Sequence, residues 1–260
     1  MPRIGVAATA DFGADVLERL ADRHEIAFLL TRPDRPAGRG RQTTPPPAKV
    51  VAERLGIPVL QPDRPAEAEL DADSIVLVAY GALIPRELLE RHDWLNVHPS
   101  LLPRWRGAAP VERAIMAGDE ETGVTVIRLA EELDAGPIGA QEAFAIRPDD
   151  DAGAVYARAA ELAPDLLEAA TSFTPQEGEA TYAEKIGPAD RELDWSRPAK
   201  ELHDRIRALS PHIGARGEVG GWRVIVWRSR SDGDRLELLE VQPEGGKRMA
   251  YDAWLRGLRS

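Results

Sequence analysis

Cysteine is absent from the 260 residues. Disulfides, thiolate metal sites and a cysteine nucleophile are therefore excluded together, while a reducing cytoplasm is allowed. No run of about 20 apolar residues occurs, so no membrane-spanning helix is expected. The opening stretch MPRIGVAATADFGADVLERL has too short an apolar run, and acids too early, to read as a secretory signal. A cytoplasmic location is the expectation. Basic residues are outnumbered, 33 Lys and Arg against 44 Asp and Glu, for a net charge of −11. Such a body repels phosphates at long range. The deficit is uneven, because residues 32–49 (RPDRPAGRGRQTTPPPAK) carry five basic residues against one acid. On charge alone that positive island reads first as a solvated, Pro-rich loop. No internal repeat is present.

What remains is ordinary globular composition, 43% hydrophobic and 30% charged. The length exceeds the ~100–200 residues of a typical domain and suggests one large domain plus a smaller one. Residues 3–8 read as an apolar strand, and Phe12, Val16, Leu17 and Leu20 then recur at helical spacing. Residues 25–31 form a second apolar strand, residues 50–55 complete an amphipathic helix, and residues 74–79 (SIVLVA) are apolar on both faces, as in a buried parallel strand. A helix over 85–91, a strand end over 95–98, a helix over 109–117, a strand over 122–129 and a helix over 152–172 follow. Strand–helix alternation of this kind predicts an open, mostly parallel sheet with helices on both faces, with ligands beyond the strands' carboxyl ends. Residues 173–183 have linker composition, and after a helix over 199–209 the patterning becomes strand-like at 220–227 and 235–241. The expected division is a large domain over 1–172, a linker over 173–198 and a small β-rich module over 199–260.

The window LNVHPSLLPRWRG (95–107) carries the chemistry. Asn96 and His98 are two apart, so on a strand both side chains leave from one face and can converge on one atom. An amide N–H and an imidazole N–H aimed at a carbonyl oxygen stabilise the negative charge of a tetrahedral adduct, and an imidazole moves protons near neutral pH. Taken singly, Asn96 could cap a turn and His98 could be a half-buried surface residue. Asp134, in EELDAGP, sits in a turn after a strand and is expected at that strand's carboxyl end beside the same crevice, where a carboxylate would orient the histidine. Its plainer role is that of a turn-forming residue. The set has no Ser or Cys in an activated context, so direct attack by a substrate amine is favoured over an acyl-enzyme. Trp195, Trp222 and Trp227 read as packing residues, and His203 and His212 have no acids at metal-ligand spacing.

These segments resemble the formyltetrahydrofolate-dependent transformylases. NVHPSLLPRWRGAAPVERAIMAGDEETGVTVIRLAEELDAGP is similar to their core, and TRPDRPAGRGR, VAYGALIP, TYAEKI and ELDW extend the likeness over nearly the whole chain. Its nearest resemblance is to the branch acting on initiator methionyl-tRNA. The resemblance implies a Rossmann-like formyltransferase fold with an OB-like C-terminal domain, here shortened. It implies 10-formyltetrahydrofolate as co-substrate, no metal, and Asn96, His98 and Asp134 as the catalytic set. It also implies that Ser100, Leu101, Leu102 and Pro103 line the folate site, with Tyr80, Gly81, Ile84 and Pro85 shaping the pterin pocket. Arg35, Arg39 and Arg41 would meet the acceptor end of the tRNA, the protein acting as a monomer with no membrane contact. Two other readings fit the same residues: a small amine acceptor, either an amino-sugar nucleotide or glycinamide ribonucleotide, and a non-catalytic folate- or RNA-binding relative.

Overall fold

In a computed structural model the described residues are 3–37 and 42–258. In chain order the elements are β1 (Ile4–Ala8), α1 (Asp11–Ala21), β2 (Ile26–Leu30), a short hairpin of β3 (Arg35–Ala37) and β4 (Gln42–Thr44), α2 (Pro47–Leu55), β5 (Val59–Leu60), β6 (Ser74–Val78), α3 (Arg86–Arg91) and β7 (Asp93–His98). They continue through β8 (Arg106–Gly107), α4 (Pro110–Met116), β9 (Glu121–Arg128), β10 (Ile138–Ala145), α5 (Ala152–Ala169), β11 (Tyr182–Ala183), α6 (Ala199–Ala208), β12 (Ala215–Val219), β13 (Trp222–Asp232), β14 (Arg235–Pro243), β15 (Met249–Ala250) and α7 (Tyr251–Leu258). Two compact units emerge, one of Met1–Pro103, Gly123–Glu142 and Ala157–Glu179, the other of Arg104–Thr122, Ala143–Tyr156 and Ala180–Ser260.

The seven-stranded sheet has the order β10-β9-β7-β6-β1-β2-β5. Neighbours from β5 to β7 are parallel, and β9 runs antiparallel to β7. The mostly parallel sheet expected from the alternation is what forms. β1 is buried at every position, because a parallel strand covered on both faces must be apolar on both. From β1 the chain moves outward through β2 to β5, then returns to place β6 on the other side of β1. The chain therefore leaves β1 and β6 toward opposite sides of the sheet, a topological switch point beyond which sheets of this kind bind their ligands. Just past the two strands, the Thr9 hydroxyl donates to the Tyr80 carbonyl at 2.8 Å. Beneath them pack Phe28, Leu30, Ile75, Tyr80, Leu88 and Trp94. Trp94 is almost fully buried, and its indole N–H is satisfied by the Leu88 carbonyl at 2.9 Å. Burying a ring of this size removes roughly 150–250 Å² from water, worth about 4–6 kcal/mol before entropy is counted.

In the second unit, four strands form an antiparallel sheet in the order β12-β13-β14-β15. One face of α6 (Leu202, Ile206), followed by Leu209, packs on Val224, Val226, Val241 and Trp254. The short β-rich module is thus present as a four-stranded sheet. The sequence patterning anticipated only β13 and β14 there. β12 (ARGEV) escapes a search for apolar runs because its exposed positions are charged. β10 (IGAQEAFA) escapes because it is an edge strand with no fully buried position and mainly small or polar residues of weak strand preference.

Candidate active site

β7 delivers Asn96 and His98 on one face, both buried. The chain turns immediately afterwards, the Ser100 N–H donating to the His98 carbonyl at 2.9 Å. The register opposes His98 to Thr125 of β9, and that threonine anchors the following loop. Its hydroxyl donates to the Ser100 carbonyl (2.6 Å) and accepts from the Leu102 N–H (3.2 Å) and the Gln141 amide (2.8 Å). One donor and two lone pairs are all that a hydroxyl has, so Thr125 is fully used. Gln141 also donates to the Leu102 carbonyl at 3.0 Å. The Ser100–Pro103 wall is consequently held by backbone-directed bonds from two residues that sequence inspection did not single out.

Asp134 closes the group. Its Oδ1 accepts from Asn96 Nδ2 at 3.0 Å, and its Oδ2 lies 3.7 Å from His98 Nδ1. One carboxylate thus faces both partners, and all three side chains are more than nine-tenths buried. The approach of Asp134 differs from the expectation. Because β9 is antiparallel, its last residue Arg128 lies beside Leu95 rather than beside His98. The loop after it must double back toward the carboxyl end of β6, where Glu131 pairs with Arg86 at 3.2 Å. The return uses a left-handed conformation at Asp134 (φ 49°), matched by Ala79 (φ 47°) and Gly81 (φ 76°) just past β6. Non-glycine residues avoid that region at a cost of about 1–2 kcal/mol, and such strain collects at functional sites. Two residues on, Gly136 leaves no space for a side chain, since a Cβ there would stand 1.8 Å from the Arg128 carbonyl oxygen.

Among the residues assigned to the pterin and folate walls, Tyr80, Ser100 and Leu102 are buried. Burial pushes the Tyr80 phenol up from its ordinary range, against the opposing charge of Arg32. Gly81, Ile84, Pro85, Leu101 and Pro103 retain exposed surface. Leu83 and Leu133 are 82% and 52% exposed on the two loops joined by Arg86 and Glu131. In the basic island, Asp34 accepts from Lys49 (2.9 Å) and Gln61 (2.7 Å), contacts that hold its carboxyl below the usual range, Gln61 contributing most. Lys49 is thereby paired with Asp34, and Arg35 lies exposed on the hairpin. Arg39 and Arg41 lie outside the described residues.

An open α/β sheet with an amide, an imidazole and a carboxylate gathered at the carboxyl end of its last parallel strand is the architecture of a group-transferring enzyme of the formyltransferase fold. The chain belongs to the formyl transferase family: it matches that family over residues 3–171 and the family's C-terminal domain over residues 185–235. A methionyl-tRNA formyltransferase of Halorhodospira halophila is 40% identical over 99% of this chain and 96% of its own. Another, from Xanthomonas euvesicatoria, is 43% identical over 94% and 84%. Among solved structures, methionyl-tRNA formyltransferase of Clostridium thermocellum shares the fold with a TM-score of 0.65 at 17% identity, covering 94% of this chain and 99% of that one. HypX of Aquifex aeolicus, solved with tetrahydrofolic acid, has a TM-score of 0.66 at 19% identity and covers 98% and 47%.

Proposed function

We propose that this enzyme transfers the formyl group from N10 of 10-formyltetrahydrofolate to the α-amine of initiator methionyl-tRNA, and that Asn96, His98 and Asp134 are its catalytic residues. The carrying observation is the single Asp134 carboxylate facing Asn96 and His98 at once. Asn96 Nδ2 has two hydrogens. One is given to Asp134, and the other serves the oxyanion that develops as the amine attacks the formyl carbon. With Nδ1 of His98 turned to Asp134, its Nε2 donates to the same oxygen. Asp134, directly or through a water, accepts the proton lost by the amine. Collapse of the tetrahedral adduct breaks the bond to N10, which takes up a proton, and releases the formylated amine and tetrahydrofolate. Gly81, Ile84, Pro85 and the Ser100–Pro103 wall, supported by Tyr80, would hold the folate beside exposed Leu83 and Leu133. No residue is reserved for a metal in this scheme.

The choice of a tRNA acceptor rests on the relatives at about 40% identity over nearly the full chain and on the basic stretch containing Arg35, Arg39 and Arg41. In this reading residues 1–172 form the catalytic domain, 173–198 the linker and 199–260 the shortened OB-like module of a cytoplasmic monomer. Formyl-methionine should form when the purified protein is mixed with charged initiator tRNA and the folate donor; none at any enzyme concentration refutes the proposal. Replacing Arg39 and Arg41 together with Ala should raise KM for the tRNA and flatten its salt dependence. Unaltered kinetics in that variant would favour a small amine as acceptor.

A further inference from the structure

We infer that Gln176 is a positioning residue for the formyl-transfer site, acting through Asp134; the inference rests on the catalytic reading of Asp134 given above. Gln176 lies beyond α5, in the stretch FTPQEGEATYA whose composition reads as a linker. The start of this stretch is not a free tether. Thr174 exchanges two backbone hydrogen bonds with Ile138, at 2.8 and 3.0 Å. The Phe173 ring lies under the Arg128 guanidinium at 4.3 Å and leaves no room for a Cβ at Gly139. Both ends of the Asp134 loop, Arg128 and Ile138, are therefore gripped by residues 173–174. Two residues on, Gln176 Nε2 donates to the Asp134 carbonyl at 2.7 Å and to the Gly136 carbonyl at 2.9 Å.

The chemistry of this contact is specific. Both partners are backbone acceptors, so the group between them must bring two N–H donors. A primary amide does so, and a carboxylate of identical shape cannot. The clamped peptide is the one held at φ 49°, where the backbone is least content to stay. Clamping it fixes the direction in which the Asp134 carboxylate leaves the chain, and hence its 3.0 Å bond to Asn96 and its 3.7 Å approach to His98. Misplacing a reacting group by an ångström can cost on the order of 10²-fold in rate.

The test uses the full-length protein carrying Gln176→Ala or Gln176→Glu. Both should lower kcat by about tenfold or more while the melting temperature changes little, since the rest of the strap remains. Hydrogen exchange should quicken over residues 131–137. Asp134→Ala supplies the control that a purely structural role would not pass: in that background Gln176→Ala should cost less than about twofold, because a residue acting only through Asp134 has nothing left to position. Undiminished kcat in Gln176→Ala, restoration by Gln176→Glu, or an equal loss in the Asp134→Ala background overturns the inference. Where turnover of Asp134→Ala falls below detection, exchange decides, and unaltered uptake over 131–137 counts against the clamp. A wild-type protein that forms no formylated product would instead sink the functional proposal and leave the exchange result standing.

Discussion

Replacing Asp134 by Asn keeps the shape of the buried trio and removes only its charge. The new amide oxygen can still accept from Asn96, so the 3.0 Å bond has a successor. Its nitrogen then faces His98 Nδ1, where a carboxylate oxygen stood at 3.7 Å. At that separation, with the effective dielectric of about 20 suited to protein sites, a full charge pair is worth roughly 4 kcal/mol. At about 1.4 kcal/mol per decade this corresponds to a ceiling near 10³ in rate. Charge develops only partly in the transition state, which lowers the figure. The amide also disfavours the imidazole tautomer that the carboxylate selects, which raises it again. The expected result is a fall in kcat of about 10²- to 10³-fold with KM for the folate little changed. The melting temperature should stay within the roughly 2–4 °C that corresponds to 1 kcal/mol in a chain of this size. Formation of formyl-methionine from charged tRNA is the assay, with melting followed on the same preparations. A variant retaining a third or more of wild-type kcat would refute the assignment of Asp134.

Gly136→Ala should cost about 1–3 kcal/mol of stability and lower kcat, because the added carbon meets the Arg128 backbone oxygen, which cannot rotate away; thermal melting and the formyl-transfer assay check the two effects. On α4, burial pushes the carboxyl of Glu112 up, opposed by the 3.0 Å hydrogen bond from Tyr156 and by the charges of His212 and Arg113. A raised folded-state pKa means stability lost as pH rises through it, so Glu112→Gln should raise the melting temperature at pH 7, with the gain shrinking toward pH 4 in a pH series of melts. Arg113 makes a two-pronged bond to Asp190, at 2.8 and 2.9 Å, which is the first cause holding that carboxyl below its usual range. Arg113→Ala should therefore destabilise by about 1.5–3 kcal/mol at neutral pH, and the difference should shrink as acid protonates Asp190 below about pH 4, leaving the part due to the bonds Arg113 gives the Glu184 and Lys185 carbonyls.

Where burial imposes a simple rule, the sequence can be read directly. β1, β2 and β6 stand out because a strand covered on both faces can hold only apolar residues. Asn96 and His98 are legible as a pair because alternation along a strand puts residues two apart on one face. Gln141 and Gln176 are another matter. Their bonds run from side chain to backbone across 39 and 42 residues, and no periodicity records a contact of that kind. The same holds for Thr125, which looks like any polar residue on an alternating strand until the register sets it opposite His98. The direction of β9 was also out of reach, since a strand reads alike in either sense.

That direction explains why the site needs its supports. Had β9 been parallel to β7, its carboxyl end would have delivered Asp134 to the crevice with no return loop. Antiparallel, it ends level with Leu95, and the carboxylate can reach Asn96 only by way of a sharp reversal. The reversal forces a left-handed aspartate and a glycine with no space beside it. A loop under such constraint would relax unless held, and desolvating a carboxylate among buried polar groups adds to the cost. The two bonds from the Gln176 amide supply the restraint. Loosening them should therefore be felt first in the rate of formyl transfer and only afterwards in the stability of the fold.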